Sequence, residues 1–552
     1  MPTPTPTTST YDETYDVVVV GSGSAGFATA MGAADEGLKV LILESTDKWG
    51  GSSAMSGGGM WLPDNPLMRR EGAGDSRDEA LTYLEETVGD AGPATSRERK
   101  EAFVDGVDDF VATAEKLGME FMRAPDYPDY YPERPGGKIG RAIECKAADR
   151  KVIGDWWSSC RAIMPLPLAT ADMWELERSW VTASGFLRGA RFVGRTLGGL
   201  VRGKALVGIG GALAVSFLDA VVQKQGVSLW LNSPLEELLL EDGEVVGVRT
   251  TRAGRPVTVR ARRGVMLSSG GFDHNVDWRQ KYHGIEGSPS GNPGNLGVPI
   301  ALAQEAGAAL SLMDDAWWGA STAAPQGHGP SFLVGERSLP YCLIVDRHGA
   351  RFANESESYV DLGHHMLEHD KDGAFWMVSD VRHARRYLRS YAMDPRLTKA
   401  MTEEGLMAKA GTLAELATKI GVDARTFRAT VERFNGFARA GVDGDFGRGN
   451  SAYDRYYGDP TVHPNPNLGA IEKGPFLAVR LVVGDLGTKG GVLTDVDGRA
   501  LREDGSVIDG LYAAGNCSAS VMGRTYPGPG STIGPAVVFG MRAGRHMARA
   551  RV

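Results

Sequence analysis

The first clear hydrophobic pattern in the chain predicts a strand, a helix and a second strand in close succession. Val17 to Val20 form an uninterrupted β-branched run, which is typical of a strand buried on both faces of a parallel sheet. After a glycine-rich turn, the Ala- and Met-rich segment Phe27 to Glu36 predicts a helix, and Lys39 to Leu43 predicts a second strand that ends at Glu44. The pattern therefore predicts a complete β-α-β unit.

The turn inside this unit has the spacing of a dinucleotide-binding site. Gly21 allows the tight turn, Gly23 allows a pyrophosphate to approach the backbone, and Gly26 allows the helix to lie close to the strand. The helix N-terminus attracts the anion, and Glu44 is placed to accept hydrogen bonds from a ribose hydroxyl. Neither feature distinguishes NAD from FAD. The candidate residues in this region are Gly21, Ser22, Gly23, Ser24, Ala25, Gly26, Glu44 and Ser45.

A second segment rich in glycine and serine, residues 50–59, follows Glu44 closely. It offers many N–H and hydroxyl groups with little side-chain bulk, so it can lie along an extended ligand. A flexible surface linker is the alternative, which the flanking Trp49 and Trp61 disfavour. The candidate residues here are Gly51, Ser52, Ser53, Ser56, Gly57, Gly58 and Gly59.

A further signature lies near the far end of the sequence, from Asp509 to Asn516. A short apolar strand stops there at a Gly-Asn pair, and Ile533 to Met541 predict a helix whose N-terminus could face the pyrimidine ring of a flavin. The candidate residues are Gly515, Asn516, Thr532 and Ile533. Both ends of the chain are thus expected to build one site.

A basic stripe interrupts this otherwise acidic sequence. No acidic residue occurs between Ser179 and Phe217, and arginines recur at helical spacing, with apolar residues on the opposite side. This pattern is typical of an interfacial helix on anionic lipid, so we expect contact with a membrane surface through residues 185–204. The alternative is a solvated helix docked on the protein's own core. The arginines are Arg188, Arg191, Arg195 and Arg202.

Three other patterns shape the expected architecture. The apolar stretch Ala205 to Leu218 is shorter than the roughly 20 residues that a membrane-spanning helix needs. Residues 235–248 predict a β-hairpin. The first sixteen residues are dominated by Pro and Thr at their start and lack a basic segment followed by an apolar one, which predicts a disordered tail rather than a secretion signal.

Composition narrows the class of protein. A length of 552 residues favours two joined domains, and 42% hydrophobic with 23% charged residues is ordinary for a soluble enzyme. A net charge of -9 disfavours nucleic-acid binding, which needs a basic surface. The four cysteines form no CxxC, so neither a metal site nor a disulfide framework is expected. These features predict a cytoplasmic protein, peripheral to the cytoplasmic membrane through its basic segment.

Ordered segments along nearly the whole chain resemble the fumarate reductase and succinate dehydrogenase flavoprotein superfamily, and within it the 3-ketosteroid dehydrogenases. They are GSGSAG, GGSSAMSGGGMWLP, PDYY, SSGGFDHN, FANESESY, DLGTKGGVLTD, DGLYAAGN and TYPGPGSTIG. The resemblance implies an α/β fold with a Rossmann-like FAD-binding domain, residues 1–279 and 488–552, and an inserted α+β substrate (capping) domain, residues 280–487. It also adds Ser269 and Gly270 to the candidate cofactor residues.

The resemblance implies FAD as the cofactor, a 3-ketosteroid as the substrate and an external, quinone-like electron acceptor. Attachment of FAD should be non-covalent, because residues 50–59 contain no His to which covalent members of the superfamily attach it.

The resemblance also implies the catalytic roles. Tyr526 and Gly530 would hold the carbonyl at carbon 3, as an O–H and an N–H that stabilise the developing enolate. Tyr359 would remove the proton at carbon 2, with Tyr130 in support, while hydride passes from carbon 1 to flavin N5. Tyr127 and Tyr131 are close rivals to Tyr130. A generic aromatic wall is the alternative for this tyrosine group.

Other activities remain as alternatives to dehydrogenation between carbons 1 and 2. Desaturation between carbons 4 and 5 is the first, since its enzymes share PDYY-like and YDRYYGDPTV-like segments, although Gly530 favours the 1,2 reaction. A fumarate reductase-like activity is less expected, because Leu486 stands where those enzymes have a His before their Thr-Met-Gly-Gly turn. A steroid-binding flavoprotein without turnover is the third.

Overall fold

The computed structural model describes residues 11–550. Its strands are β1 Glu13–Val20, β2 Val40–Leu43, β3 Met60–Trp61, β4 Phe121–Arg123, β5 Ala142–Cys145, β6 Ala148–Asp149, β7 Leu206–Val207, β8 Ser228–Trp230, β9 Leu235–Glu241, β10 Glu244–Arg252, β11 Arg255–Leu267, β12 Ser288–Pro289, β13 Leu310–Ser311, β14 Ala316–Thr322, β15 Cys342–Val345, β16 Phe375–Ser379, β17 Met407–Ala410, β18 Phe476–Thr488, β19 Gly491–Val492, β20 Arg499–Leu501 and β21 Val507–Ala513.

The α-helices are α1 Ser24–Asp35, α2 Gly51–Met55, α3 Pro66–Glu71, α4 Arg77–Val88, α5 Arg97–Asp105, α6 Val107–Lys116, α7 Thr170–Glu177, α8 Ala183–Val201, α9 Ile209–Leu218, α10 Val276–His283, α11 Val298–Glu305, α12 Tyr359–Asp370, α13 Val381–Arg386, α14 Pro395–Glu403, α15 Leu413–Ile420, α16 Ala424–Ala440, α17 Ala452–Tyr456 and α18 Ile533–Arg549.

An eight-stranded sheet carries the predicted β-α-β unit. Its main order is β20-β21-β11-β1-β2-β8, and β1 runs parallel to both β2 and β11. The predicted strand, helix and second strand are confirmed as β1, α1 and β2. Because β1 begins at Glu13, the prediction of a tail through residue 16 is wrong for its last four residues. Side chains of these four residues bond to neighbouring segments; for example, Asp16 accepts a hydrogen bond from the Lys39 N–H. The first ten residues lie outside the described part.

The predicted hairpin at residues 235–248 is confirmed. Strands β9 and β10 pair antiparallel and extend the large sheet through β11.

A second sheet of six strands is built around the long strand β18. β12, β14, β16 and β17 all pair with β18, and β15 pairs with β16. Its strands all lie between residues 288 and 488, whereas those of the eight-stranded sheet lie at 13–267 and 499–513. The domain limits at 279 and 487 stay a prediction.

Helices α1 and α18, near the two ends of the chain, pack so closely that their backbones are in contact. A Cβ atom on Gly540 of α18 would lie 2.5 Å from the carbonyl oxygen of Ala25, and one on Gly544 would lie 2.4 Å from that of Thr29. Since both clashes are with backbone, only glycine allows the two helices to come this close.

Helix α8 turns part of its arginine face inwards. Arg188 and Arg195 form ion pairs with Asp172 of α7, while the apolar side faces outwards. The protein's own core does not cover this side. Its exposed residues are Phe186, Leu187, Val193, Leu197, Leu200 and Val201, from 52% to 87% exposed. In the part of the chain that the structure describes, no helix is long and apolar enough to cross a membrane.

Candidate active site

The glycine turn between β1 and α1 is fixed by close backbone contacts. Gly21 has a φ of +104°, and a Cβ atom there would lie 2.5 Å from the carbonyl oxygen of Ser268. At Gly23, by contrast, the nearest atom to such a Cβ is Ser53 Oγ at 3.7 Å. The backbone is therefore tightly packed at Gly21 and open at Gly23, where the sequence predicts that a pyrophosphate approaches.

The start of α1 fits a phosphate group. Ser24 is buried, and its Oγ has no hydrogen-bond partner among the described residues. A buried hydroxyl without a partner costs free energy unless a ligand satisfies it. Because it lies in the first turn of a helix, where backbone N–H groups have no partner within the helix, this position suits an anion.

Glu44 lies directly behind this turn. Its Oε2 accepts the Ser22 hydroxyl at 2.6 Å, and its Oε1 accepts the N–H and hydroxyl of Thr46. The Ser45 hydroxyl lies 3.4 Å from Oε1. The carboxylate is buried and fixed in place next to the open part of the turn.

Residues 50–59 form α2 and a turn into β3, so the alternative of a flexible surface linker is wrong. Ser53 Oγ accepts the Ser24 N–H at 3.1 Å, which ties this segment to the glycine turn. Ser52 Oγ accepts two N–H groups, from the Asn292 backbone and the Asn295 side chain. Its own proton is therefore free to donate to a ligand. Ser56 bonds within the segment, and residues 57–59 lead into β3.

The C-terminal candidates meet the N-terminal ones in the same sheet. β21 ends just before Gly515 and runs parallel to β11, which itself ends just before Ser269 and Gly270. A Cβ atom on Gly515 would lie 3.2 Å from the Ala25 side chain. Thr532 and Ile533 begin α18. The structure thus brings the predicted cofactor residues from distant parts of the chain to one end of the parallel strands.

Three tyrosines from three different segments form the centre of the second half of the site. Tyr130 lies in the loop after β4, Tyr359 is the first residue of α12, and Tyr526 precedes α18. Their ring centroids are 5.0 to 5.4 Å apart in all three pairs, and all three rings are buried. The structure brings together the residues for which the sequence predicts catalytic roles.

Gly530 has a conformation that only glycine adopts easily. Its φ is +95°, and a Cβ atom there would lie 2.2 Å from the carbonyl oxygen of Gly59. Its carbonyl accepts the Trp61 N–H, and it follows Tyr526 by four residues in the same loop. The loop before α18 thus carries both the Tyr526 phenol and the strained Gly530 backbone.

The rivals to Tyr130 have different surroundings. Tyr131 donates from its hydroxyl to Asp361 Oδ1 at 2.9 Å. The Tyr127 hydroxyl lies 3.4 Å from that of Tyr130 and forms a short contact with the Tyr457 hydroxyl. Of the three, Tyr130 has its ring closest to both Tyr359 and Tyr526 among the described ring contacts.

The loop that carries Tyr130 is held by a buried ion pair. Asp129 accepts the Trp61 indole N–H and the Arg141 guanidinium, both at 2.7 Å. Burial raises the pKa of Asp129 to about 6 despite the opposing charge of Arg141. The Tyr130 N–H also donates to the Pro527 carbonyl at 2.9 Å, so this loop is bonded directly to the Tyr526 loop.

Sequence reasoning missed two tyrosines that extend the cluster. Tyr453 packs on Tyr130 with ring centroids 4.4 Å apart, and Tyr457 packs edge-on against Tyr127. Both belong to YDRYYG, where spacings of three and four residues predict one helical face. That spacing was a usable signal.

The environment keeps these phenols protonated. Burial, followed by the contact with Tyr526, raises the pKa of Tyr359 well above its ordinary value. Burial also raises the pKa of Tyr526, although its interactions with Tyr359, Thr532 and the Gly530 N–H oppose that rise.

Other candidate chemistry is absent from the described residues. Within residues 11–550, no group of three or more His, Cys, Asp or Glu side chains could hold a metal ion. Arg524 forms an exposed ion pair with Asp314.

Comparison with known proteins identifies the family of the chain. Residues 16–533 match the FAD binding domain family. A 3-oxosteroid 1-dehydrogenase of Mycolicibacterium smegmatis (strain ATCC 700084 / mc(2)155) is 45% identical, over 96% of this chain and 96% of that protein. One of Mycobacterium tuberculosis (strain ATCC 25618 / H37Rv) is 44% identical, over 97% and 98%. The crystal structure of 3-ketosteroid delta1-dehydrogenase from Sterolibacterium denitrificans, in complex with 1,4-androstadiene-3,17-dione, has a TM-score of 0.91 at 35% identity, covering 98% of this chain and all of that one.

The fold and the site define an FAD-dependent oxidoreductase. FAD is therefore the cofactor, as the sequence predicts. The chain belongs to the FAD binding domain family and, within it, to the 3-ketosteroid dehydrogenases.

Proposed function

We propose that this protein is an FAD-dependent 3-oxosteroid 1-dehydrogenase, which introduces a double bond between carbons 1 and 2 of a 3-ketosteroid. The observation that carries the proposal is the convergence of Tyr130, Tyr359 and Tyr526 with Gly530. It occurs in a chain 44 to 45% identical, over nearly its whole length, to relatives with that name.

Tyr526 and Gly530 bind the carbonyl oxygen at carbon 3. Both groups lie in one loop, four residues apart, so a carbonyl oxygen that accepts the Gly530 N–H and the Tyr526 O–H would receive two hydrogen bonds. Donors fixed in advance stabilise the negative charge that develops when a neighbouring carbon loses its proton; such donors are each worth about 3 kcal/mol.

Tyr359 removes the proton from carbon 2, and Tyr130 supports it. The Tyr359 ring packs against both partners, which keeps its hydroxyl next to the carbonyl-binding pair. Bound FAD supplies the hydride acceptor, through N5, for carbon 1. Since the pKa of Tyr359 is raised, only a small fraction is deprotonated at neutral pH, and that fraction limits the rate.

Anaerobic mixing with steroids tests this proposal. Addition of 4-androstene-3,17-dione should bleach the flavin absorbance and give the 1,4-diene. The 5α-saturated analogue should give a 1-ene product. A 4-ene product from the saturated analogue would assign the alternative reaction between carbons 4 and 5. Failure of every 3-ketosteroid to bleach the flavin would refute steroid dehydrogenation and favour a binding protein.

We further propose that α8 attaches the protein to a membrane surface. Its outward apolar side carries six large residues, and Arg191, Arg202 and Lys204 remain exposed beside it. Such a helix lies at the boundary between headgroups and acyl chains, and anionic lipid attracts its basic residues. The attachment would place the protein peripherally on the cytoplasmic membrane.

Sedimentation with liposomes tests the attachment. The protein should sediment with vesicles that contain anionic lipid, and a Phe186→Ser/Leu197→Ser variant should stay in the supernatant. Val442→Ser is the matched control, because Val442 is 61% exposed elsewhere on the surface. Equal recovery of all three proteins in the supernatant would reject membrane attachment.

Turnover also needs an external oxidant, and we propose a quinone-like acceptor. A lipid-dissolved quinone would reach a membrane-attached enzyme together with its sterol-like substrate. Steady-state turnover with a quinone should exceed turnover with dioxygen; the reverse order would reject this acceptor class.

A further inference from the structure

A lysine ion pair lies next to the proposed site and has no role in the mechanism above. Lys489 is fully buried in the turn between β18 and β19, and its Nζ lies 3.1 Å from Asp315 Oδ2. The same Nζ lies 4.9 Å from the centre of the Trp317 ring. Burial lowers the pKa of Lys489, while the charge of Asp315 opposes this effect. A charge in such a place is retained only when it is paired.

The Asp315 carboxylate interacts with other groups besides Lys489. Its Oδ1 accepts the Trp318 indole N–H at 2.8 Å and the Ala316 N–H at 2.9 Å. His364 Nε2 lies 2.8 Å from the same oxygen. Although burial alone would raise the pKa of Asp315, Lys489 and His364 bring it below its ordinary range. The other carboxylate oxygen faces Lys489, whose ammonium group is thereby fixed against Trp317.

Trp317 connects this ammonium group to both halves of the site. Its indole N–H donates to Asn516 Oδ1 at 3.2 Å. Its ring meets the Tyr526 ring edge-on, with centroids 5.3 Å apart. The positive charge therefore lies one aromatic ring away from a predicted cofactor residue and from the carbonyl-binding tyrosine.

The turn that carries Lys489 also touches the other cofactor segments directly. Thr488 Oγ1 accepts the Phe272 N–H at 3.1 Å, two residues after Gly270. The Lys489 carbonyl accepts the Ser520 N–H at 3.1 Å. These bonds hold the backbone of the turn between the segments at 269–272 and 515–520.

We propose that Lys489 is a positioning residue for the redox step, a fixed buried positive charge that makes the bound flavin a stronger electron acceptor. The inference rests on the proposed function. In that reaction the substrate loses a hydride from carbon 1 and a proton from carbon 2, and the flavin gains two electrons and negative charge. A nearby cation in a poorly solvated site stabilises that charge more strongly than water would.

The midpoint potential of the bound flavin tests this role without any steroid. Equilibration of the holoenzyme with reference dyes should show that Lys489→Met shifts the two-electron equilibrium about tenfold towards the oxidised flavin, which is about 30 mV. Affinity for sulfite, which adds to electron-poor flavins, should fall by a similar factor. Lys489→Arg keeps the charge and should keep both values.

A control variant excludes a general effect of losing a lysine. Lys116→Met removes an exposed lysine that is paired with Asp35, and it should leave the potential unchanged. If Lys489→Met retains FAD with an unchanged potential, the inference is overturned.

The single variant leaves Asp315 buried without its partner, which can prevent folding. Lys489→Met/Asp315→Asn removes that unpaired charge and is the variant to measure in that case. A lowered potential supports the inference, and an unchanged potential overturns it. Because dyes reduce the flavin without substrate, a lowered potential in the variant together with no steroid turnover by the unmodified protein would refute the proposed function alone.

Discussion

The glycine turn at residues 21–26 and the tyrosine cluster around Tyr526 differ in how their parts come together. The turn lies within one β-α-β unit, and backbone contacts fix its shape. The tyrosines come from the loop after β4, the start of α12 and the loop before α18, so only tertiary structure unites them. The comparison teaches that substitutions should affect the two regions differently. In the glycine turn they should act through backbone strain. In the tyrosine cluster the loss of a single hydroxyl group should reduce activity while the fold stays intact.

Strain at the turn should give the largest effect. Gly21→Ala places a Cβ atom 2.5 Å from a backbone oxygen at a φ of +104°, and should cost about 3 kcal/mol and abolish FAD binding. Flavin absorbance per polypeptide and the thermal unfolding temperature measure both effects. Gly37→Ala is the matched control, because Gly37 also has a positive φ but nothing lies within 4 Å of its Cβ position. Equal flavin content in both variants would contradict a turn fixed by packing.

Removal of one hydroxyl should come next. Tyr359→Phe should slow flavin reduction by about 10²- to 10⁴-fold, the usual contribution of a general base, while FAD content and unfolding temperature stay unchanged. Anaerobic stopped-flow absorbance measures the rate. A variant with full turnover would remove Tyr359 from the mechanism without affecting the FAD assignment.

A change of pH should affect the rate of flavin reduction at the tyrosine cluster but not the binding of FAD at the glycine turn. The base acts deprotonated, and burial raises the pKa of Tyr359 above its ordinary value near 10. The rate of flavin reduction should therefore rise about tenfold per pH unit between roughly pH 7 and 9, whereas FAD content should stay constant. A rate that levels off below pH 8 would mean that a group of lower pKa is the base.

The smallest effect is expected within the tyrosine cluster itself. Tyr453 packs its ring on Tyr130, and its buried hydroxyl faces only other phenols, those of Tyr130 and Tyr457, without a well-aligned hydrogen bond. Tyr453→Phe should change the rate less than about twofold and should leave the protein equally stable or up to about 1 kcal/mol more stable. The same stopped-flow and unfolding measurements apply. A large loss of rate would place this hydroxyl in the chemistry.

The same contrast explains what the sequence could predict. The run from Val17 to Leu43 specifies its own strand, helix and strand, because hydrophobic periodicity and glycine spacing act over a few residues. The tyrosines could be named only by resemblance. Nothing in the sequence alone indicates that Tyr130, Tyr359 and Tyr526 meet, or that Asp129 fixes the loop of the first through Trp61 and Arg141.

The direction of α8 shows a different limit. Its amphipathic pattern was evident, but a pattern states only that two faces differ. Asp172 decides which face turns inwards, since it pairs with Arg188 and Arg195 from the preceding helix. The sequence likewise places Lys489 in a turn but does not show its partner. Its ion pair with Asp315 depends on contacts between segments far apart in sequence.

The close contact between α1 and α18 links cofactor binding to the completion of synthesis. α1 leaves the ribosome early, but the helix that covers it, and the Gly515–Asn516 segment, follow only after nearly the whole chain. Until then the face of α1 that packs on α18 is uncovered, and the cofactor site is open on one side. A nascent chain therefore cannot hold FAD as the finished protein does, and a chain that stops short of α18 exposes an apolar helix to chaperones and proteases.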